Sequence, residues 1–116
     1  MSEPVFKLYH VGVNAENYEE AKAAAELLCS LFNLSYRESP KACFGGDAVE
    51  VMFDKPRGAH GHIGFSTPNM DEAVAWLRGR GIEIDESTYV RRPNGTYGAV
   101  YLKQEVLGFA LHLFEA

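Results

Sequence analysis

Four short alternating segments each carry one side chain able to hold a metal ion or move a proton: His10 in YHVGV, Glu50 in AVEVMF, His62 in GHIGF and His112 in FALHLF. Alternate residues of a strand point to opposite faces. Tyr9, Val11 and Val13 therefore oppose His10, and Ile63 and Phe65 oppose His62. Val49, Val51 and Phe53 oppose Glu50, and Phe109, Leu111 and Leu113 oppose His112. Each segment puts its polar side chain on the face away from its apolar ones. Three imidazoles and one carboxylate make a borderline donor set that suits zinc, nickel, cobalt or ferrous iron, in contrast to the all-oxygen set that calcium and magnesium take. Taken singly, a strand histidine is more often a hydrogen-bonded core or surface residue, and a strand glutamate is usually solvated. Correspondence between the positions changes that weighing.

HVGVNAENYEEA, from His10, aligns without a gap on HIGFSTPNMDEA, from His62, bringing Gly12 onto Gly64, Asn17 onto Asn69, Glu20 onto Glu72 and Ala21 onto Ala73. AVEVMF aligns with ALHLFE at a longer interval, which places the extra residues of the second half in its hairpin. FKLYHVGVN predicts a strand by its aromatic and β-branched content, and Asn17 with Glu20 predicts a capped helix start. In that helix Ala21, Ala24, Ala25, Leu28, Leu31 and Phe32 recur every three or four residues, predicting one apolar stripe that covers a sheet. Short extended segments follow at SYRES and KACFG, then a turn at Gly45-Gly46-Asp47 and the strand AVEVMF. The second half repeats the order: a strand at HGHIGFS, Asn69 as cap of the helix MDEAVAWLRGR, and Gly81 as its left-handed stop. IEIDESTYVRR, a turn at Pro93-Asn94-Gly95, YGAVYLKQ and GFALHLF complete it. The expected architecture is α+β: two βαβββ repeats, about 5–54 and about 59–115, forming one cupped mixed β-sheet with the helices outside.

A chain of 116 residues is one domain, so the two halves must share a core. A net charge of −5 without any Lys/Arg block argues against nucleic acid or an anionic membrane as partner, leaving a small-molecule substrate. No apolar run is long enough to span a bilayer, and MSEPVFK lacks the apolar core of a signal peptide, so a cytoplasmic protein is expected. Cys29 and Cys43 fit no CxxC pattern, and Cys29, among Leu27, Leu28, Leu31 and Phe32, is expected as a small core residue. A homodimer is expected because so small a sheet otherwise leaves its edges open; whether one chain or two completes each cup is left open.

His60 shares the parity of His62, but its Gly-flanked setting in RGAHGH reads more simply as an exposed strand end. Arg91, Arg92, Tyr97, Tyr101 and Lys103 in the second hairpin could reach an anionic substrate, although solvated charges and core aromatics are the simpler reading. Trp76 and Leu77 are read as packing residues.

With these residues in place, the sequence resembles the vicinal oxygen chelate superfamily, which contains glyoxalase I, bleomycin-resistance proteins, extradiol dioxygenases and methylmalonyl-CoA epimerase. The resemblance implies a divalent metal held on the first and last strands of each module, which selects His10, Glu50, His62 and His112. GHIGF is similar to the third-ligand segment of glyoxalase I and GFALHLFE to its last strand. Most of the superfamily carries glutamate on that last strand; here the position is His112. HVGVNAENYEEA, VEVM, GHIGF, YLKQE and GFALHLFE resemble more closely the glyoxalase-like domain attached to some bacterial 2-keto-3-deoxy-6-phosphogluconate/2-keto-4-hydroxyglutarate aldolases, which also ends on histidine. No aldolase barrel with its Schiff-base lysine is present, so aldolase activity is not implied.

The expected activity is that of a metal-dependent lyase or isomerase of a small carbonyl or hydroxy-carbonyl compound, whose two adjacent oxygens bind the metal, with Glu50 as catalytic base. The alternative is a non-catalytic module that sequesters a metal or senses a metabolite, since four protein ligands can close a tetrahedral zinc site. A ring-cleaving dioxygenase requires iron with two histidines and a carboxylate, and the third histidine argues against it.

Overall fold

The computed structural model describes residues 3–54, 57–94 and 97–116, apart from the side chain of Tyr97. Gly95, in the expected Pro93-Asn94-Gly95 turn, lies outside the described residues. The first half runs β1 (Lys7–Asn14), α1 (Tyr18–Phe32), β2 (Tyr36–Glu38), β3 (Ala42–Gly45) and β4 (Val49–Met52). The second runs β5 (Gly61–Thr67), α2 (Met70–Gly79), β6 (Ile84–Arg91), β7 (Tyr97–Val106) and β8 (Phe109–Glu115). Both are βαβββ. One sheet contains all eight strands in the order β2-β3-β4-β1-β5-β8-β7-β6. β1 pairs parallel with β4, and β5 parallel with β8, while the two halves join through the antiparallel pair β1–β5. The sheet is therefore mixed, and its centre is the seam between the repeats.

Local chemistry sets the helix starts as the sequence suggests. The Asn17 side chain accepts from the Glu20 backbone N–H at 2.8 Å, and that of Asn69 accepts from the Glu72 N–H at 3.1 Å. Gly81 takes φ +83° just past α2, the conformation that only glycine enters without strain. Each helix covers its own half-sheet. Ala21 and Ala25 of α1 pack with Cys43 and Val51, and Met70, Ala73 and Val74 of α2 pack with Ile84, Val100 and Leu113. Trp76 lies 5.9 Å from Phe6 and Leu77 packs on the second cluster, so both are packing residues. No described helix is long and apolar enough to cross a membrane.

Two expectations about the apolar faces are corrected. Leu31 and Phe32 stand 62% and 65% exposed and so leave the expected stripe. A 15-residue helix is roughly 22 Å long, whereas the four-residue strands β3 and β4 span roughly 13 Å each, so the last turn of α1 overhangs the sheet. Cys29, on the same turn, is half-buried rather than core, with its thiol 3.7 Å from the Phe44 carbonyl. Tyr9 is the second correction. A bulge between Leu8 and His10 in the β1–β5 ladder turns Tyr9 to the concave side, where its ring lies 5.1 Å from His10 and 5.0 Å from Phe114. Val13, also expected on the apolar face, is 42% exposed.

Candidate metal centre

The register across the seam brings the matched residues of the two repeats together. On one row of the sheet, Glu50 of β4, Gly12 of β1 and His62 of β5 are neighbours. On the next, His10 of β1, Gly64 of β5 and His112 of β8 are neighbours. Each row is a glycine between two polar side chains on the concave face. A Cβ on Gly12 would overlap the His62 ring, and a Cβ on Gly64 would come within 2.9 Å of His10 Nε2. The matched glycines are thus reciprocal: each repeat leaves out the side chain that would occupy the space of the other repeat's histidine. The His-x-Gly spacing shared by HVG and HIG is the sequence trace of this arrangement.

Into that space the four side chains converge. His10 Nε2 lies 2.9 Å from His62 Nε2, and Glu50 Oε2 lies 3.1 Å from His62 Nε2 and 3.6 Å from His10 Nε2. The donor atoms of His10, His62 and His112 all lie within 4.8 Å of one another. Two donors each about 2.0–2.2 Å from a common ion, at ordinary coordination angles, stand about 2.8–3.6 Å apart, so the separations among His10, His62 and Glu50 match edges of one coordination sphere, and His112 lies within 4.8 Å of the other two histidines. The three imidazoles, from three strands of one chain, are a donor group of the kind a divalent transition ion takes, and the Glu50 carboxylate lies beside two of them.

His10 and His62 are only 3% and 2% exposed. Burial lowers the His10 pKa, helped by His62 and opposed by Glu50. Burial also depresses His112, to about 3, with His62 and His10 adding to the effect. Both rings are therefore neutral at physiological pH, the state in which imidazole binds a metal. Burial alone would raise Glu50, but the hydrogen bond from His62, with electrostatic interaction with the three histidines, holds it below its ordinary value. Its side chain is 21% exposed, against 3% for the two histidines it faces, so the carboxylate is the donor nearer solvent.

The remaining sequence candidates separate cleanly. His60 is exposed on the bend before β5 and is not in the cluster. Arg92 donates to the Glu115 carbonyl, Lys103 pairs with Glu83 at 3.8 Å in solvent, and Arg91 is exposed. The Tyr97 side chain lies outside the described residues. Of the four whose side chains are described, Tyr101 alone is placed at the site: it is the cross-strand partner of His112, and the rings stack at 4.0 Å with 6° between their planes. Its signal was legible, because Val100 and Leu102 face the α2 core and alternation sends Tyr101 to the histidine face. Phe114 adds an edge contact to His112 at 4.2 Å and to His10 at 4.9 Å. Arg57 and Asp85 were not legible. The Arg57 guanidinium lies 4.6 Å above the Tyr101 ring and bonds Asp85 at 2.7 Å, a juxtaposition of distant segments that no local pattern encodes.

Neither a protein-family model nor a curated protein matches the sequence. Solved structures do match its shape. Methylmalonyl-CoA epimerase of Streptomyces coelicolor in complex with 2-nitronate-propionyl-CoA is similar at 14% identity over 95% of this chain and 96% of that one, with a TM-score of 0.63. The hypothetical protein BH1468 of Bacillus halodurans C-125 is similar at 16% identity, 96% and 94% coverage and a TM-score of 0.64. A selenomethionine form of methylmalonyl-CoA epimerase is similar at 17% identity, 98% coverage of both chains and a TM-score of 0.64. The fold is the glyoxalase-like fold of these proteins.

Proposed function

We propose that this protein is a divalent-metal-dependent lyase or isomerase acting on a small carbonyl or hydroxy-carbonyl metabolite through two adjacent oxygens, with His10, Glu50, His62 and His112 holding the ion. One observation carries the reading: three imidazoles from matched strands of the two repeats gather within 4.8 Å of one another on the concave face of a single chain, with the Glu50 carboxylate 3.1 Å from His62 and 3.6 Å from His10. The shared fold supports it, since one similar structure is methylmalonyl-CoA epimerase in complex with methylmalonyl-CoA.

Bound there, the ion supplies Lewis acidity toward carbonyl oxygens. The protein's own part is acid–base and steric. Glu50 is the one carboxylate of the set and is more exposed than His10 and His62, a position from which it can take a proton from the carbon beside a carbonyl and return it. In the metal-free site the His62 hydrogen bond holds Glu50 below its ordinary pKa. Expulsion of water by substrate raises its basicity toward the working range. Tyr9, Tyr101 and Phe114 form the aromatic wall beside the histidines.

Metal analysis of the purified protein tests the reading. Stoichiometric zinc, nickel, cobalt or iron is expected in the parent and absent in His62→Ala; a parent free of transition metal removes it. A second reading has one observation in its favour: four protein donors suffice to close a tetrahedral ion, as in structural sites. Water proton relaxation of the manganese-loaded protein separates the two, since an exchanging bound water requires an open position. A homodimer belongs to the same proposal, because β2 and β6 end the sheet with unpaired edges. Sedimentation showing only monomer removes that part.

A further inference from the structure

Metal-binding histidines are ordinarily oriented by a hydrogen bond from the second ring nitrogen to a carboxylate, carbonyl or water. His112 departs from that pattern. Its Nδ1, like that of His62, is buried without a hydrogen-bond partner among the described residues, but of the two rings only that of His112 lies flat on an aromatic neighbour. What holds the ring is a layered stack. The Tyr101 ring lies parallel to the imidazole at 4.0 Å, and the Arg57 guanidinium lies 4.6 Å from the Tyr101 ring centre. Arg57 is itself fixed to Asp85 at 2.7 Å. Asp85 is the cross-strand partner of Tyr101 and is steadied by the Ser87 hydroxyl at 2.6 Å. Phe114 closes the edge of the imidazole at 4.2 Å.

We infer that Tyr101, clamped by the Arg57–Asp85 pair, is a positioning residue for His112: stacking on its ring performs the orienting task that a hydrogen bond to Nδ1 performs elsewhere. A flat offset stack restricts rotation about the Cβ–ring bond without requiring a polar partner, and a cation over the outer face of the phenol ring holds that ring in place. The seam between the repeats thereby gains a mechanical link to the connector, because Arg57 lies between β4 and β5. The consequence for a bound ion rests on the reading of His112 as a ligand; the orientation of the ring does not.

Two measurements on the full chain separate these parts. In the metal-free protein, the ring protons of His112 are expected upfield and in a single conformation in the parent and in Tyr101→Phe, which keeps the stack. They are expected averaged and shifted downfield in Tyr101→Leu, with the His10 ring resonances and the circular dichroism spectrum unchanged, while His62, whose ring lies 6.1 Å from that of Tyr101, shifts modestly without averaging. Zinc affinity, read by chelator competition, is expected to fall about 10- to 100-fold in Tyr101→Leu, with a changed visible spectrum of the cobalt form, to fall less in Arg57→Ala, and to stay at the parent value in Tyr101→Phe. An upfield, single His112 ring persisting in Tyr101→Leu overturns the inference. So does parent-like zinc affinity with a parent-like cobalt spectrum. A parent that binds neither ion removes the metal reading alone, and the ring resonances still decide the role of Tyr101.

Discussion

The two halves of the sheet carry the same frame around different chemistry. In the first, Glu50 on the closing strand has Phe44 as its cross-strand partner, and the Arg37 guanidinium lies 3.7 Å from the Phe44 ring centre. In the second, His112 has Tyr101 in the same relation, and Arg57 caps that ring. An imidazole can lie flat on its aromatic neighbour, and His112 does so. A carboxylate gains nothing from stacking, and Glu50 instead turns across Gly12 to hydrogen-bond His62. Symmetry of the backbone thus brings the four donors to one place, while the asymmetry at the closing strands divides their work. In the proposed function the first half contributes the proton-transfer group, and the second a ligand held by stacking.

The largest effect that can break this division is on turnover. Glu50→Gln is expected to retain the fold and lose about 10²- to 10⁴-fold in substrate proton exchange with deuterated solvent, the ordinary range for a general base. His112→Gln is expected to weaken metal binding at a smaller loss of exchange rate per bound ion. Equal losses per bound ion in the two variants would erase the proposed difference between the halves.

Next comes the seam. Gly12→Ala forces a methyl into the His62 ring and is expected to destabilise the protein by about 1–3 kcal/mol, the usual range for overpacking, and to reduce metal affinity. Gly64→Ala meets the His10 ring at 2.9 Å, a milder conflict, and is expected to cost less in the same urea titration. The reverse order would mean that the reciprocal packing does not govern the site.

Acid sharpens the comparison further. His112 titrates near 6.5 when unfolded and about 3 when folded, so the metal-free protein keeps its full stability above pH 6.5 and loses it as pH falls from 6.5 toward 3. Glu50, depressed from 4.5, contributes stability above that value and loses it only at lower pH. Urea midpoints in the presence of chelator are expected to flatten in the upper window for His112→Gln and only in the lower one for Glu50→Gln.

The smallest effects concern the two capping arginines. Arg37 pairs with Asp47 at 3.7 Å with both side chains largely in water, and Arg37→Ala is expected to change stability by less than about 0.5 kcal/mol. Arg57 is less exposed and makes the shorter bond to Asp85, so Arg57→Ala is expected to cost more. Thermal melts of the two variants decide the order.

Much of this was legible before any coordinates. The period-two alternation assigned His10, Glu50, His62 and His112 to one face, and Asn17 and Asn69 marked the helix starts, because face and cap are properties of a few adjacent residues. Tyr9 escaped the same rule because a bulge is a mismatch between two strands and cannot be read from one. Leu31 and Phe32 satisfied the helical period yet lie in water, since the period marks a face but not how far the covered sheet extends.

What the sequence determined by itself is therefore local: the element order, the repeat, and which side chains share the histidine face. The tertiary structure decided what lies next to what. The antiparallel β1–β5 seam set each histidine over the other repeat's glycine and completed the donor set within one chain. Long-range docking laid Arg57 over Tyr101 against Asp85. Alternation is written in successive residues, whereas register and long-range docking depend on the balance of contacts across the whole sheet, and so appear only once the chain has folded.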